Sequence, residues 1–250
     1  MASAPTQLRE YYDALHALKE QEQTALAELH ADDPARLITR FAHSVETVAA
    51  YPVIKEAFHR ERSDTWMEKS GDPITSTTTF VANLAAGGRH RVDGYGELDF
   101  DYVDREIFPL RSTEIAVEGR SVRRSIDLLL RDRDGFPVVG ELKVAGDSPT
   151  YFALVQALMY AAELSSSSQQ QRLGEHYGLR VPGDDPGISI YLVAYAAPER
   201  GAYRARSFAA SETISLGLMA DPRVSSVVRR IAYLAASSDA DGNLVFERLF

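Results

Sequence analysis

The tetrapeptide Asp132-Arg133-Asp134-Gly135 separates two apolar runs, and no other stretch limits the fold as sharply. Asp-Gly between hydrophobic segments signals a hairpin, because glycine supplies the positive φ that a tight reversal needs. The flanking runs, 122–131 and 136–144, therefore read as antiparallel neighbours. Pro137 is tolerable there because it falls near the start of its strand. Residues 107–117, closed by Glu118-Gly119, make a candidate strand ahead of them, so the three form a meander. Asp147-Ser148-Pro149 then introduces a helix over 150–164, and Gly187 opens a strongly apolar strand over 188–196. A strand–helix–strand crossover after a meander gives a mixed sheet with helices on its faces.

The flanks are mostly helical in pattern. Leu8, Tyr11, Tyr12, Leu15, Leu18, Ala25, Leu26 and Leu29 recur at helical spacing and predict one helix over 6–30. Asp32-Asp33-Pro34 starts a second, over 35–50, and Pro52 ends it, with a shorter piece reaching Phe58. Within 61–100, Ser70-Gly71-Asp72-Pro73 is a turn, the threonine-rich 74–80 is strand-like, Gly87-Gly88 is a break, and 95–102 alternates loosely as a strand. Residues 165–171 read as a low-complexity serine and glutamine link. Residues 211–217 and 222–236 read as helical, with a polar turn at 239–243. The expected division is a helical region (1–60), a strand-containing insertion (61–104), a core (105–200) and a C-terminal helical extension packed on it (201–250). The fold class is α/β (α+β).

Composition narrows the chemistry. The 250 residues contain no cysteine, which removes disulfides, thiolate metal sites and cysteine nucleophiles. The N-terminus lacks the pattern of a signal peptide and no apolar run reaches the ~18 residues of a membrane span, so a cytoplasmic protein with no membrane contact is expected. A formal net charge of −9 weighs against a protein that grips nucleic acid through a broad basic surface. No G-x-x-x-x-G-K-[ST], H-E-x-x-H or G-x-S-x-G motif occurs, and Gly94-Tyr95-Gly96 lacks the third glycine of a dinucleotide fingerprint. The six histidines are scattered.

Against that background, five polar residues occupy one short region. Period-two alternation puts Glu141 and Lys143 on one face of an otherwise apolar strand, where isolated charges would be costly unless paired or metal-bound. Asp127 interrupts Ser125-Ile-Asp-Leu-Leu-Leu130 on the neighbouring strand, and the hairpin can bring it near Glu141. Two close carboxylates repel unless a cation intervenes, and together they suit Mg²⁺, which accepts one or two carboxylates plus waters and phosphate. On the next helix, Gln156 and Tyr160 share a face through i,i+4 spacing. Taken singly, each of these patterns is common on solvated faces.

Asp127, a thirteen-residue gap and then Glu141-Leu142-Lys143 resembles the core of the PD-(D/E)xK nucleases, and Gln156-x-x-x-Tyr160 on the following helix resembles their RecB-like branch. The resemblance covers roughly 105–196. It implies a restriction-endonuclease-like αβββαβ core and a Mg²⁺- or Mn²⁺-dependent nuclease acting on DNA, with RNA a further candidate. In that family Asp127, Glu141 and the Leu142 backbone carbonyl would hold the metal. Lys143 would assist the attacking water, and Gln156 and Tyr160 would support the site or touch the scissile strand. Defence against foreign DNA and DNA repair both fit, as does a homodimer or a larger effector complex. The alternative is a catalytically silent nuclease fold serving as a DNA-binding or protein-interaction module. Members often add an acid or histidine from the preceding helix, for which Glu46, Glu56, Glu61, Glu68, His43 and His59 are candidates. Glu114 could approach from the first strand. Arg120, Arg123, Arg124, Arg131 and Arg133 flank the hairpin as candidate phosphate contacts.

Overall fold

The computed structural model describes residues 5–53, 58, 76–110, 125–144, 150–183, 186–195 and 202–250. The first helical stretch divides in two. Helix α1 (Gln7–His16) starts where Thr6 accepts the Arg9 amide, and α2 (Glu20–Asp32) starts where Glu22 accepts the Lys19 amide. The break at residues 17–19 corrects the single helix expected over 6–30. Gln23 explains why the break is stable: its amide nitrogen donates to the carbonyls of Leu15 and Leu18 at 3.0 and 3.2 Å, covering the end of α1. Helix α3 (Ala35–Ala49) follows as expected, with Asp33 accepting the Ala35 amide.

Helix α4 (Ser76–Ala86) replaces the strand expected from the threonines of 74–80. Phe80, Val81 and Leu84 are buried at helical spacing, so packing on one face outweighs the modest β preference of threonine. Two short strands, β1 (Arg89–His90) and β2 (Val92–Asp93), lead through a 3-10 turn to β3 (Phe100–Ile107). The strand that pairs with β4 is 100–107; of the strand expected over 107–117, residues 108–110 lie outside any strand and 111–117 lie outside the described residues. Strands β4 (Ile126–Asp132) and β5 (Pro137–Lys143) form the hairpin around Gly135, whose φ is 93°. Helix α5 (Thr150–Glu163) matches its expected span.

Where a link was expected over 165–171, residues 167–177 form α6 (Ser167–Tyr177), capped by Ser166 and ended by Gly178 in a left-handed conformation. Its glutamines are buried anchors: Gln169 donates to the Pro109 carbonyl at 2.7 Å and Gln170 to that of Leu164 at 2.6 Å. Strand β6 (Ile188–Tyr195), helix α7 (Ala202–Ala220) and the short α8 (Pro222–Ser225) come next. Two strands follow, β7 (Val228–Ser238) and β8 (Leu244–Arg248), so the helix expected over 222–236 extends only to Ser225. The C-terminal segment expected to be helical is helical over 202–225 and strand beyond, with 211–217 inside α7 as expected. Ile231, Ala232, Tyr233 and Leu234 are consecutive and all buried. A strand covered on both faces loses the alternation that would mark it in the sequence.

The strands make one mixed eight-stranded sheet in the order β1-β3-β4-β5-β6-β7-β8-β2. The meander β3–β4–β5 is antiparallel, β5, β6 and β7 run parallel, and β8 is antiparallel to β7. Because β1 and β2 are adjacent in sequence yet lie at opposite ends of that order, the sheet curls into a barrel-like form, with Phe100 and Phe246 meeting at 5.0 Å between centroids. Inside the curl lie Leu128, Leu130, Val138, Leu142, Tyr191 and Leu234. Leu129, Val139, Ile190, Leu192 and Tyr233 face outward, under α5 and, over β7, under α7 and α8; α1 and α3 pack on α5. Among the described residues, no helix is long and apolar enough to cross a membrane.

Candidate functional site

The hairpin register decides whether the two acids meet. Leu128 pairs with Gly140, so one rung further on Asp127 stands opposite Glu141, on the face that also carries Leu129 and Val139 beneath α5. Gly140 permits the close approach of the two strands, because a Cβ there would lie 2.9 Å from the Leu128 Cβ and 3.2 Å from the Leu128 carbonyl oxygen. The β4–β5 ladder runs from Arg131–Pro137 to Leu128–Gly140. Beyond it Asp127 takes over from the backbone, accepting the Leu142 amide at 3.1 Å. A strand residue's N–H and C=O point toward the same neighbour, so the Leu142 carbonyl is directed to the Asp127 side as well.

Glu141 is fully buried. Its Oε1 accepts from the Lys143 ammonium at 2.8 Å, while its Oε2 is buried with no hydrogen-bond partner. Burial above all, and then the neighbouring Asp127, hold the Glu141 carboxyl well above the usual carboxylate range against the opposing pull of Lys143. The two carboxyls are close enough to share a hydrogen bond when one is protonated. Lys143 is partly open to solvent, and its nitrogen lies 5.8 Å from the centre of the Phe152 ring.

Helix α5 is buried along its length from Tyr151 to Glu163. Tyr160 lies near Glu141, whose charge adds to burial in pushing its phenol well above the ordinary value, and its hydroxyl is buried without a partner. The Gln156 carbonyl oxygen accepts from the Tyr12 hydroxyl at 3.3 Å. The structure thus brings Asp127, Glu141, Lys143 and Tyr160 to one place, with Gln156 one helical turn from Tyr160 on the same face of α5.

Other candidates do not join them. His43 and Glu46 are exposed on α3, and His43 contacts Thr47 at 3.3 Å. Arg131 and Arg133 belong to the turn end of the hairpin; Arg131 is four residues from Asp127, about 13 Å along a strand, and Arg133 pairs with Asp134 at 3.7 Å. Glu56, His59, Glu61, Glu68, Glu114, Arg120, Arg123 and Arg124 lie outside the described residues. Among the described residues, no group of three or more His, Cys, Asp or Glu side chains is placed to hold a metal ion.

Sequence reasoning missed Arg9 and Glu163. Glu163 is fully buried, three residues after Tyr160, and Arg9 grips it with a two-pronged pair, Nε to Oε1 at 2.7 Å and a terminal nitrogen to Oε2 at 2.8 Å. The signal available was Glu163 itself, an acid at i+7 from Gln156 on an almost wholly apolar helix. Arg9, 154 residues away, carried no local signal. No family model matches the chain, and neither a curated protein nor a solved structure matches it.

Proposed function

We propose that the chain is a divalent-metal-dependent nuclease that hydrolyses DNA phosphodiester bonds at Asp127, Glu141 and Lys143. The observation that carries this reading is Asp127 standing opposite Glu141 with the Lys143 ammonium 2.8 Å from Glu141 Oε1. The meander β3–β4–β5, helix α5 and parallel β6 follow the order of a PD-(D/E)xK core, which supports it further.

The residues fit a hard cation. The buried Oε2 of Glu141 accepts nothing from a protein donor, and a cation between Glu141 and Asp127 would displace the proton that their repulsion and burial retain. Two carboxylates with the Leu142 carbonyl, waters and a substrate phosphate complete the oxygen set that Mg²⁺ or Mn²⁺ prefers. Such an ion would supply a Lewis acid that polarises the phosphate and lowers the pKa of a bound water. The chain does the positioning. Asp127 and Glu141 fix where positive charge sits, and Asp127 is itself oriented by the Leu142 amide. Lys143, partly open to solvent, would hold the attacking water and offset charge that develops on the phosphate. Water attacks phosphorus and the ester oxygen leaves, so no covalent enzyme intermediate forms.

With its acidic overall charge the chain would engage DNA at a confined site and not over a broad surface. Defence against foreign DNA and DNA repair both fit this reading, as does a second copy that cuts the second strand. The test is incubation with linear, circular and single-stranded DNA and with RNA, with and without Mg²⁺ or Mn²⁺. Metal-dependent cleavage that disappears in Lys143→Ala is expected. Folded wild-type protein that cleaves none of these substrates would reduce the chain to a silent binding module.

A further inference from the structure

Helix α1 runs antiparallel to α5 and meets it at successive levels. Arg9 pairs with Glu163, Tyr12 donates to Gln156 at 3.3 Å and sets its ring at a tilt against Phe152 with centroids 4.8 Å apart, and His16 reaches the same ring at 5.9 Å. The hydroxyls of Tyr11 and Tyr151 lie 2.7 Å apart at the helix's other end. Helix α1 is held in turn by α3, whose Ser44 accepts the Leu8 amide at 3.0 Å.

These contacts solve a problem that apolar packing leaves open. Helix α5 is buried and apolar around most of its circumference, so hydrophobic burial alone selects no single rotation about its axis. Each residue advances about 100° around a helix, so a small rotation would swing Tyr160 away from Glu141. Buried polar pairs specify register where apolar contacts do not. The Arg9 guanidinium is a planar fork, and its two short bonds fix direction as well as distance.

We propose that Arg9 is a positioning residue of the site: by forking onto Glu163 it sets the rotation of α5, and so places Tyr160 and Gln156 relative to Glu141. The N-terminal helix thereby becomes part of the functional unit. The consequence for rate rests on the nuclease reading; the placement of Tyr160 does not.

The experiment places 3-fluorotyrosine at position 160 and records its ¹⁹F resonance in wild type, Arg9→Lys, Arg9→Gln, Glu163→Gln and Arg9→Gln/Glu163→Gln, at a temperature where circular dichroism shows each folded. The double variant replaces the ion pair by two amides, which keeps a folded protein in the series if a single variant collapses. The resonance is expected to move in every folded variant, Arg9→Lys included, since lysine keeps the charge and loses the fork. With Mn²⁺ and DNA, the same variants are expected to lose about tenfold to a hundredfold in kcat with KM within about twofold, as for a misplaced catalytic group. Arg9 and Glu163 also act on Tyr160 through their charge, so the charge-balanced variants, Arg9→Lys and Arg9→Gln/Glu163→Gln, decide. An unmoved resonance in them overturns the proposal, whatever the rates. A resonance that moves in them, in a protein that cleaves nothing, upholds the placement by Arg9 and removes the nuclease reading instead.

Discussion

Glu163 and Glu141 are both fully buried and both close enough to Tyr160 to raise its phenol pKa, yet their surroundings differ in kind. Glu163 has each oxygen engaged by one arm of Arg9, itself 7% exposed. Glu141 has one oxygen on a partly exposed lysine and the other without a protein donor, beside a second carboxyl that can share a proton with it. The first is a closed arrangement that completes the fold from within. The second is less complete, and that is the difference the proposed metal site draws on. Neither acid alone suggests a site; the contrast does.

The comparison can be broken most forcefully at Arg9. Arg9→Met leaves Glu163 buried and unpaired and is expected to cost about 3–5 kcal/mol, or about 6–20 °C in Tm for a chain this size. Adding Glu163→Met should return most of that loss. Lys143→Met should cost only about 1 kcal/mol in thermal denaturation, because Glu141 can take up a proton when its partner is removed. A milder loss at Arg9 than at Lys143 would invert the contrast.

Activity is the next largest effect. Lys143→Met is expected to reduce metal-dependent cleavage about a hundredfold to a thousandfold while the fold persists. Cation binding should then divide the two acids without reference to turnover. Mn²⁺ at about a hundred times its Kd stabilises by about 2.7 kcal/mol. That thermal shift should appear in wild type and vanish in Glu141→Gln and in Asp127→Asn. It should survive in Arg9→Gln/Glu163→Gln.

A smaller effect follows from the raised carboxyl of Glu141. The folded state binds this proton more tightly than the unfolded chain does, so metal-free stability falls as pH rises through the ordinary carboxylate range toward Glu141's own higher value. Glu141→Gln removes that loss. Its Tm should match wild type at acidic pH and exceed it by a few degrees near pH 8; a gap that narrows with rising pH would mean that Lys143 outweighs burial. The smallest change is Tyr12→Phe, which deletes one bond to Gln156 and should cost about 1 kcal/mol.

The site was legible to the extent that its members are close in sequence. Asp127, Glu141 and Lys143 share a hairpin announced by Asp134-Gly135, and Gln156 and Tyr160 share a helix face set by i,i+4 spacing. The misreadings have physical causes. Residues 228–236 looked helical because a strand buried on both faces has no alternation. Residues 167–171 looked like linker because their serines and glutamines are spent on caps and buried carbonyls. Residues 76–80 carried β-branched threonines, but the buried face of Phe80 and Leu84 prevailed.

By itself, then, the sequence determined the chemical inventory and its local order: an acid, an acid-x-lysine, and an amide and phenol one helical turn apart. Local rules of turns, alternation and helical period reach that far, because they act over a few residues. Only the tertiary structure decided that Asp127 faces Glu141, that Arg9 closes on Glu163, and that the final strands extend one curled sheet. Those are contacts between surfaces brought together by burial, and which oxygen is left without a partner is settled only when every other group has found its own.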